Sequence, residues 1–170
     1  PDRTSFHAFI GRQGRWNPKP VSADHYFAPG LTWPLRGRTF SSAALPRGCA
    51  YSVGGKVALA PAEELPALLA IFNSSVFAAC MGVYAGKVEG FQFETGVVKA
   101  TPVPEVDGVT AARLASLSTA GWSSKRSLDT TNEASHAFLL PALLQVDGGT
   151  LNARVRMWGD RVAAVEAELA

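Results

Sequence analysis

The side chains best suited to chemistry lie in Thr32-Trp33-Pro34-Leu35-Arg36-Gly37-Arg38-Thr39-Phe40-Ser41-Ser42, where two guanidinium groups stand among hydroxyls and aromatic rings around a glycine. Arginine donates paired hydrogen bonds to guanine or to a phosphate, and Ser and Thr hydroxyls suit backbone oxygens, so this is the chemistry of recognition. Arg36 and Arg38 are read as DNA contacts, with Thr32, Ser41 and Ser42 beside them, and Trp33 as a core anchor. Downstream, Tyr84, Lys87, Gln92 and Glu94 flank an aromatic strand, and Gln or Glu can read adenine or cytosine edges. The alternative for each of those four is an ordinary solvated side chain. Lys56, Lys87 and Gln92 complete the candidate DNA-binding set.

Other chemistries lack their residues. A nuclease of the PD-(D/E)xK type needs an acid two places before a lysine to share one metal site, but Lys19, Lys56, Lys87, Lys99 and Lys125 are preceded at that spacing by Asn17, Gly54, Ala85, Val97 and Ser123. His7, His25 and His136 are scattered, and Cys49 and Cys80 lack Cys-x-x-Cys spacing, which argues against zinc and for two packed thiols in a reducing cytoplasm. No Gly-x-Ser-x-Gly elbow occurs. The charge is uneven. Residues 1–60 hold eight bases against two acids, a net of +6, whereas residues 61–170 hold eight against twelve, a net of −4. Clustered bases attract a phosphate backbone and release its counterions, so the N-terminal third is where a polyanion would sit; the alternative is a solvated surface that happens to be basic, and charge alone leaves the two open.

The elements that must position these residues can be read in outline. At 170 residues and 47% hydrophobic, the chain has enough apolar content for a core, and no apolar run approaches the roughly 20 residues of a membrane span. The first residues lack the pattern of a signal peptide and there is no initiating Met, so the chain is expected to be a fragment of a longer cytoplasmic protein. Strands are expected at Ser5 to Ile10, Cys49 to Val53 and Val57 to Ala60, the last two joined as a hairpin by Gly54-Gly55. Pro61, with Glu63 and Glu64 behind it, starts a helix whose face carries Leu65, Leu68, Leu69, Phe72, Val76 and Cys80 and which Gly82 ends. Phe91 to Val98 reads as a strand interrupted at Gly96 and stopped by Pro102 and Pro104. Helices follow from about Thr110 to Leu117 and from the Asp129–Asn132 caps through Phe138. From Thr150 as N-cap, Leu151, Val155, Trp158, Val162, Val165 and Leu169 recur at heptad spacing. That seam needs a partner: the preceding helix, a second copy, or a segment outside the chain.

Three stretches carry a family resemblance. Leu69 to Phe77, with its Asn73-Ser74 pair, followed by Phe93, Gly96, Val98, Pro102 and Pro104, resembles the "lLNS…F" helix and "[FY]-x-x-G-x-[IV]-x-x-x-P-[IV]-P" strand of the target-recognition domain in PglX-like adenine-specific DNA methyltransferases of BREX phage defence and related single-chain restriction-methylation enzymes. Tyr26 to Pro34 is similar to that domain's opening, and Lys125 to Phe138 to the linker after it. The resemblance implies an α+β fold with a small mixed or antiparallel sheet and packed helices, followed by a C-terminal helical, partly coiled-coil segment. It divides the chain into residues 1–106 for DNA recognition and 107–170 for the helical linker and heptad helix. The family's catalytic loop, Asn/Asp-Pro-Pro-aromatic, is not here, since Asn17-Pro18-Lys19-Pro20 reads as a turn. A Gly-rich cofactor turn between strand and helix is missing as well. The expected function is therefore sequence recognition on duplex DNA, with no cofactor and no catalytic residue in this chain. S-adenosylmethionine would belong to the parent enzyme, whose remaining domains are the expected protein partners. The rival expectation is an interaction module whose heptad helix docks another protein.

Overall fold

A computed structural model describes residues 23–51, 54–85, 91–135 and 137–169. The expected strand Ser5 to Ile10 lies outside them. The fold is α+β, with a small antiparallel sheet and five α-helices among the described residues, and the chain divides into two compact units, Pro1–Ala115 and Ser116–Ala170.

The first unit is organised around β1, Gly30–Pro34, whose alternation puts Leu31 and Trp33 into the core and leaves Thr32 half-buried on the other face. It is the middle strand of a three-stranded sheet, antiparallel to β3, Ala43–Leu45, and to β4, Gly55–Ala58, with Trp33 opposite Lys56. Gly30 is required by proximity, because a Cβ there would lie 2.6 Å from the Ala58 carbonyl oxygen. Among the described residues the expected hairpin is not seen, and Ser52 and Val53 of its first strand lie outside them. Cys49 to Tyr51 are not in a strand, and β4 pairs with β1 because that register places Ala58 against the core. A second ladder joins β2, Arg36–Gly37, to β5, Phe91–Gln92.

The expected single helix after Pro61 is two, α1 at Leu65–Phe72 and α2 at Ser75–Ala85. The break is chemical. Asn73 closes α1 with its backbone N–H on the Leu69 carbonyl, 3.2 Å, and Ser74 Oγ accepts from the Phe77 N–H, 3.1 Å, which caps α2. The break turns Phe72 and Phe77 onto each other, stacked at 4.7 Å and 14°. α2 then runs past Gly82, where closure was expected.

The expected strand Phe91 to Val98 is also corrected. Only Phe91–Gln92 is extended, and Thr95–Ala100 forms α3, with Val98 buried and Gly96 exposed. Glu94 is extended at the N-cap, and Thr101 ends the helix before Pro102 with its hydroxyl between the Val97 carbonyl and the Met81 sulfur, each at 2.9 Å. A helix of only six residues shows too little periodicity to be separated from a strand by spacing. Phe40 is the hub of the core, its ring 5.2 Å from Phe93, 5.4 Å from Phe77 and 6.0 Å from both Trp33 and Phe72.

α4 is longer than expected, Gly108–Asp129, and starts at Asp107, whose Oδ1 accepts from the Thr110 N–H at 2.7 Å. The first unit ends at Ala115, within α4, rather than before it at 106.

In the second unit the remainder of α4 is followed by turns, a short 3-10 turn at Ala142–Leu144, and α5 at Leu151–Leu169. The helix expected from Asp129 through Phe138 is absent among the described residues. Thr130, Thr131 and Asn132 use their side chains on nearby backbone instead, as hydroxyls and amides do outside helices. Gln145 fastens the turn, donating to the Thr130 carbonyl at 2.9 Å and the Leu140 carbonyl at 2.6 Å, and Thr150 caps α5 through the Ala153 N–H at 3.2 Å. Of the heptad seam, Trp158, Val162, Val165 and Leu169 are half-buried, whereas Leu151 and Val155 are exposed. The preceding helix partners the far end, where Leu169 faces Gly121 and Ser124 donates to Glu168 at 3.1 Å.

Among the described residues no single helix is long and apolar enough to cross a membrane. The α1–α2 pair reaches that length only jointly, and it is bent by 66°.

Candidate functional site

Five of the candidate DNA-binding residues, Arg36, Arg38, Ser41, Ser42 and Gln92, fall on the β2–β5 ladder or on the connection that follows β2. The β2–β5 ladder sets Arg36 directly opposite Gln92, and both side chains are exposed. Cross-strand partners in an antiparallel pair project from the same face with Cβ atoms about 4.5 to 5.5 Å apart. The base beneath them is hydrogen-bonded into the core. Phe93, next to Gln92, is 1% exposed; its N–H donates to the Leu35 carbonyl at 2.8 Å, and its own carbonyl accepts from Trp33 Nε1 at 2.8 Å. A Cβ on Gly37 would meet the Thr39 carbonyl oxygen at 3.2 Å and the Phe93 ring at 3.4 Å, so the chain turns from Arg36 to Arg38 at a position that favours glycine.

Arg38, Ser41 and Ser42 follow on the connection from β2 to β3, on either side of the buried Phe40. That connection is clasped by a residue from the helix break. Asn73 Oδ1 accepts from the Ser42 N–H at 2.9 Å, and Asn73 Nδ2 donates to the Ser42 carbonyl at 3.0 Å, to Ser42 Oγ at 3.2 Å and to the Leu69 carbonyl at 3.0 Å. In the sequence Asn73 stands only as one half of the Asn73-Ser74 pair within an expected continuous helix. Its tie to Ser42 spans 31 residues, a separation that no local pattern signals.

Lys56 is placed differently from Arg36 and Arg38. Its ammonium lies 2.6 Å from Glu94 Oε2, and its side chain is 12% exposed against 51% for Glu94. The pair compensates the lysine's charge and engages Glu94, the acid nearest Gln92 in sequence. Among the described residues, Arg36 and Arg38 have no acid within ion-pairing distance, and neither the Arg36 nor the Gln92 side chain has a hydrogen-bond partner. Thr32 stands apart, on the outer face of the three-stranded sheet opposite Ala43 and Val57. Lys87 lies outside the described residues, as do Arg3, Arg12, Arg15 and Lys19 of the basic N-terminal third.

Elsewhere in the first unit, Tyr26 and Tyr51 meet edge to face at 4.8 Å, and burial, then Tyr26, raises the Tyr51 phenol above its ordinary pKa. Among the described residues no three His, Cys, Asp or Glu side chains are grouped to hold a metal ion. No protein family matches the chain in sequence, and no curated protein is detectably similar to it.

Proposed function

We propose that the chain is the sequence-recognition part of an adenine-specific DNA methyltransferase from a phage-defence or restriction-modification system. It binds duplex DNA and positions a catalytic domain that the same enzyme carries elsewhere and that uses S-adenosylmethionine. The observation that carries this reading is the exposed Arg36, Gln92 and Arg38 group, uncompensated by acids among the described residues and mounted on a backbone tied to the Trp33–Phe93 core. Such a group offers charge-assisted and bidentate hydrogen bonds without first having to break an internal ion pair.

The test is binding to duplex DNA across a salt series. Affinity should fall as salt rises, and the Arg36→Ala, Arg38→Ala double variant should bind more weakly, its log–log salt slope reduced by about one for each phosphate that is no longer neutralised. Arg113→Ala, an exposed site on α4, is the control and should leave binding unchanged. Equal affinity and slope in the double variant and the parent would remove this surface from the interface.

A second reading rests on the other unit. Leu139, Leu144, Leu151 and Val155 are 69%, 59%, 67% and 51% exposed, an apolar content suited to docking another protein. Association that is indifferent to DNA and to salt, and is abolished by Leu151→Asp, would favour it.

A further inference from the structure

We infer that the β2–β5 ladder is the base-reading element of this surface, Arg36 taking the guanine of one base pair and Gln92 the adenine of the next, while Arg38 and the Ser41–Ser42 connection contact phosphate. This rests on the duplex-DNA reading above and adds a division of labour within it.

Four features carry the assignment. Arg36 and Gln92 are register partners, so both side chains leave the ladder on one face at about the 5 Å spacing of cross-strand neighbours. Adjacent bases along one strand are about 3.4 Å apart. Two long side chains can converge from the first spacing to the second, whereas residues on opposite faces cannot. A two-stranded ribbon fits the roughly 12 Å major groove, where guanine offers O6 and N7 to a guanidinium and adenine offers N7 and its amino group to a carboxamide. Both side chains are exposed and unengaged among the described residues, so reading a base breaks no internal bond. Finally, the ladder is fixed from below by the Phe93 N–H on Leu35 and the Trp33 indole on Phe93, as a reader must be if a misplaced base is to cost affinity.

Arg38 is different in placement. It lies after β2, has no ladder partner, and is followed by the connection whose hydroxyl-bearing Ser42 is clasped by Asn73. Its contribution is charge rather than base identity. The Lys56–Glu94 pair engages the acid nearest Gln92 in sequence, so neither of those two charges stands free.

The experiment is selection of this chain, and of its variants, on a pool of duplex DNA with randomised base pairs, followed by titration of the selected duplex and its single-base-pair changes across a salt series. Circular dichroism and thermal unfolding confirm that each variant is folded, which the exposure of these side chains favours. Arg36→Ala should erase a guanine preference at one position, and Gln92→Ala an adenine preference at the adjacent position. Each should lower affinity for the selected duplex by roughly 5- to 150-fold with little effect on duplexes already changed at that base pair. Arg36→Lys, which keeps the charge but not the bidentate fork, should retain the salt slope and lose the guanine preference. Arg38→Ala should weaken binding to every duplex alike and reduce the slope by about one. If Arg36→Ala and Gln92→Ala weaken all duplexes uniformly while the parent still selects a sequence, the ladder is not the reader, although the DNA-binding reading survives. If the parent shows no salt-dependent binding to any duplex, both fall.

Discussion

Asn73 ties residues 31 positions apart, and its bonds to Ser42 hold the connection that carries Ser41 and Ser42. An exposed hydrogen bond contributes about 0.5 to 1.5 kcal/mol net, so Asn73→Ala should lower stability by about 1 to 2 kcal/mol in urea unfolding. Asn73→Asp should not rescue it, because a carboxylate still accepts from the Ser42 N–H but cannot donate to the Ser42 and Leu69 carbonyls. Glu94→Gln belongs to the same scale. It releases Lys56 from its ion pair, so on the proposed surface it should raise affinity for duplex DNA and steepen the salt dependence by up to about one, as read by titration at several ionic strengths. Asp107 is the pH-sensitive residue of the α4 cap. Hydrogen bonds from the Thr110 backbone, then from its side chain, lower the carboxyl pKa below 3.8. A depressed carboxylate stabilises the fold fully above its unfolded pKa and loses that effect as pH falls through the folded value. The Asp107→Asn variant, whose amide oxygen accepts at any pH, should therefore lose less thermal stability than the parent as pH drops below about 3.8.

Among elements, the aromatic cluster decides whether the ladder has a base to stand on. Phe40 touches Trp33, Phe72, Phe77 and Phe93, so Phe40→Ala should cost about 3 to 5 kcal/mol and disturb the proposed DNA surface along with it. Phe40→Leu, which leaves a smaller void, should cost less, and urea unfolding monitored by tryptophan fluorescence separates the two. In α5 the heptad spacing was correct as a helix signal, but the burial is graded from exposed Leu151 and Val155 to half-buried Trp158, Val162, Val165 and Leu169. Trp158→Ala should consequently lower helical circular dichroism and thermal stability more than Val155→Ala. The two misread elements share a cause. Leu65 to Ala85 is apolar almost throughout, so periodicity runs across a break that only the side chains of Asn73 and Ser74 reveal. Phe91 to Ala100 holds two extended residues and six helical ones, and each piece is shorter than the window over which a period can be counted.

At the scale of the molecule, a chain without a Gly-rich cofactor turn or an Asn-Pro-Pro-aromatic loop is expected not to bind S-adenosylmethionine. Calorimetry checks this, and a saturable micromolar isotherm would overturn the assignment of the chain as a recognition part. The α+β class, the capped α5 and the buried Trp33 were all legible in the amino-acid sequence. Each depends on residue type, local spacing or a cap within a few positions, and such signals survive in one dimension. Which bases remain uncompensated was not legible. Lys56 meets Glu94, Arg36 stands opposite Gln92, and Asn73 closes on Ser42 only after the sheet and helices have packed. Those pairings are set by β-register and by the burial of Phe40 and Phe93 between elements distant in the chain, so only the tertiary structure decides which charges stay unpaired among the described residues.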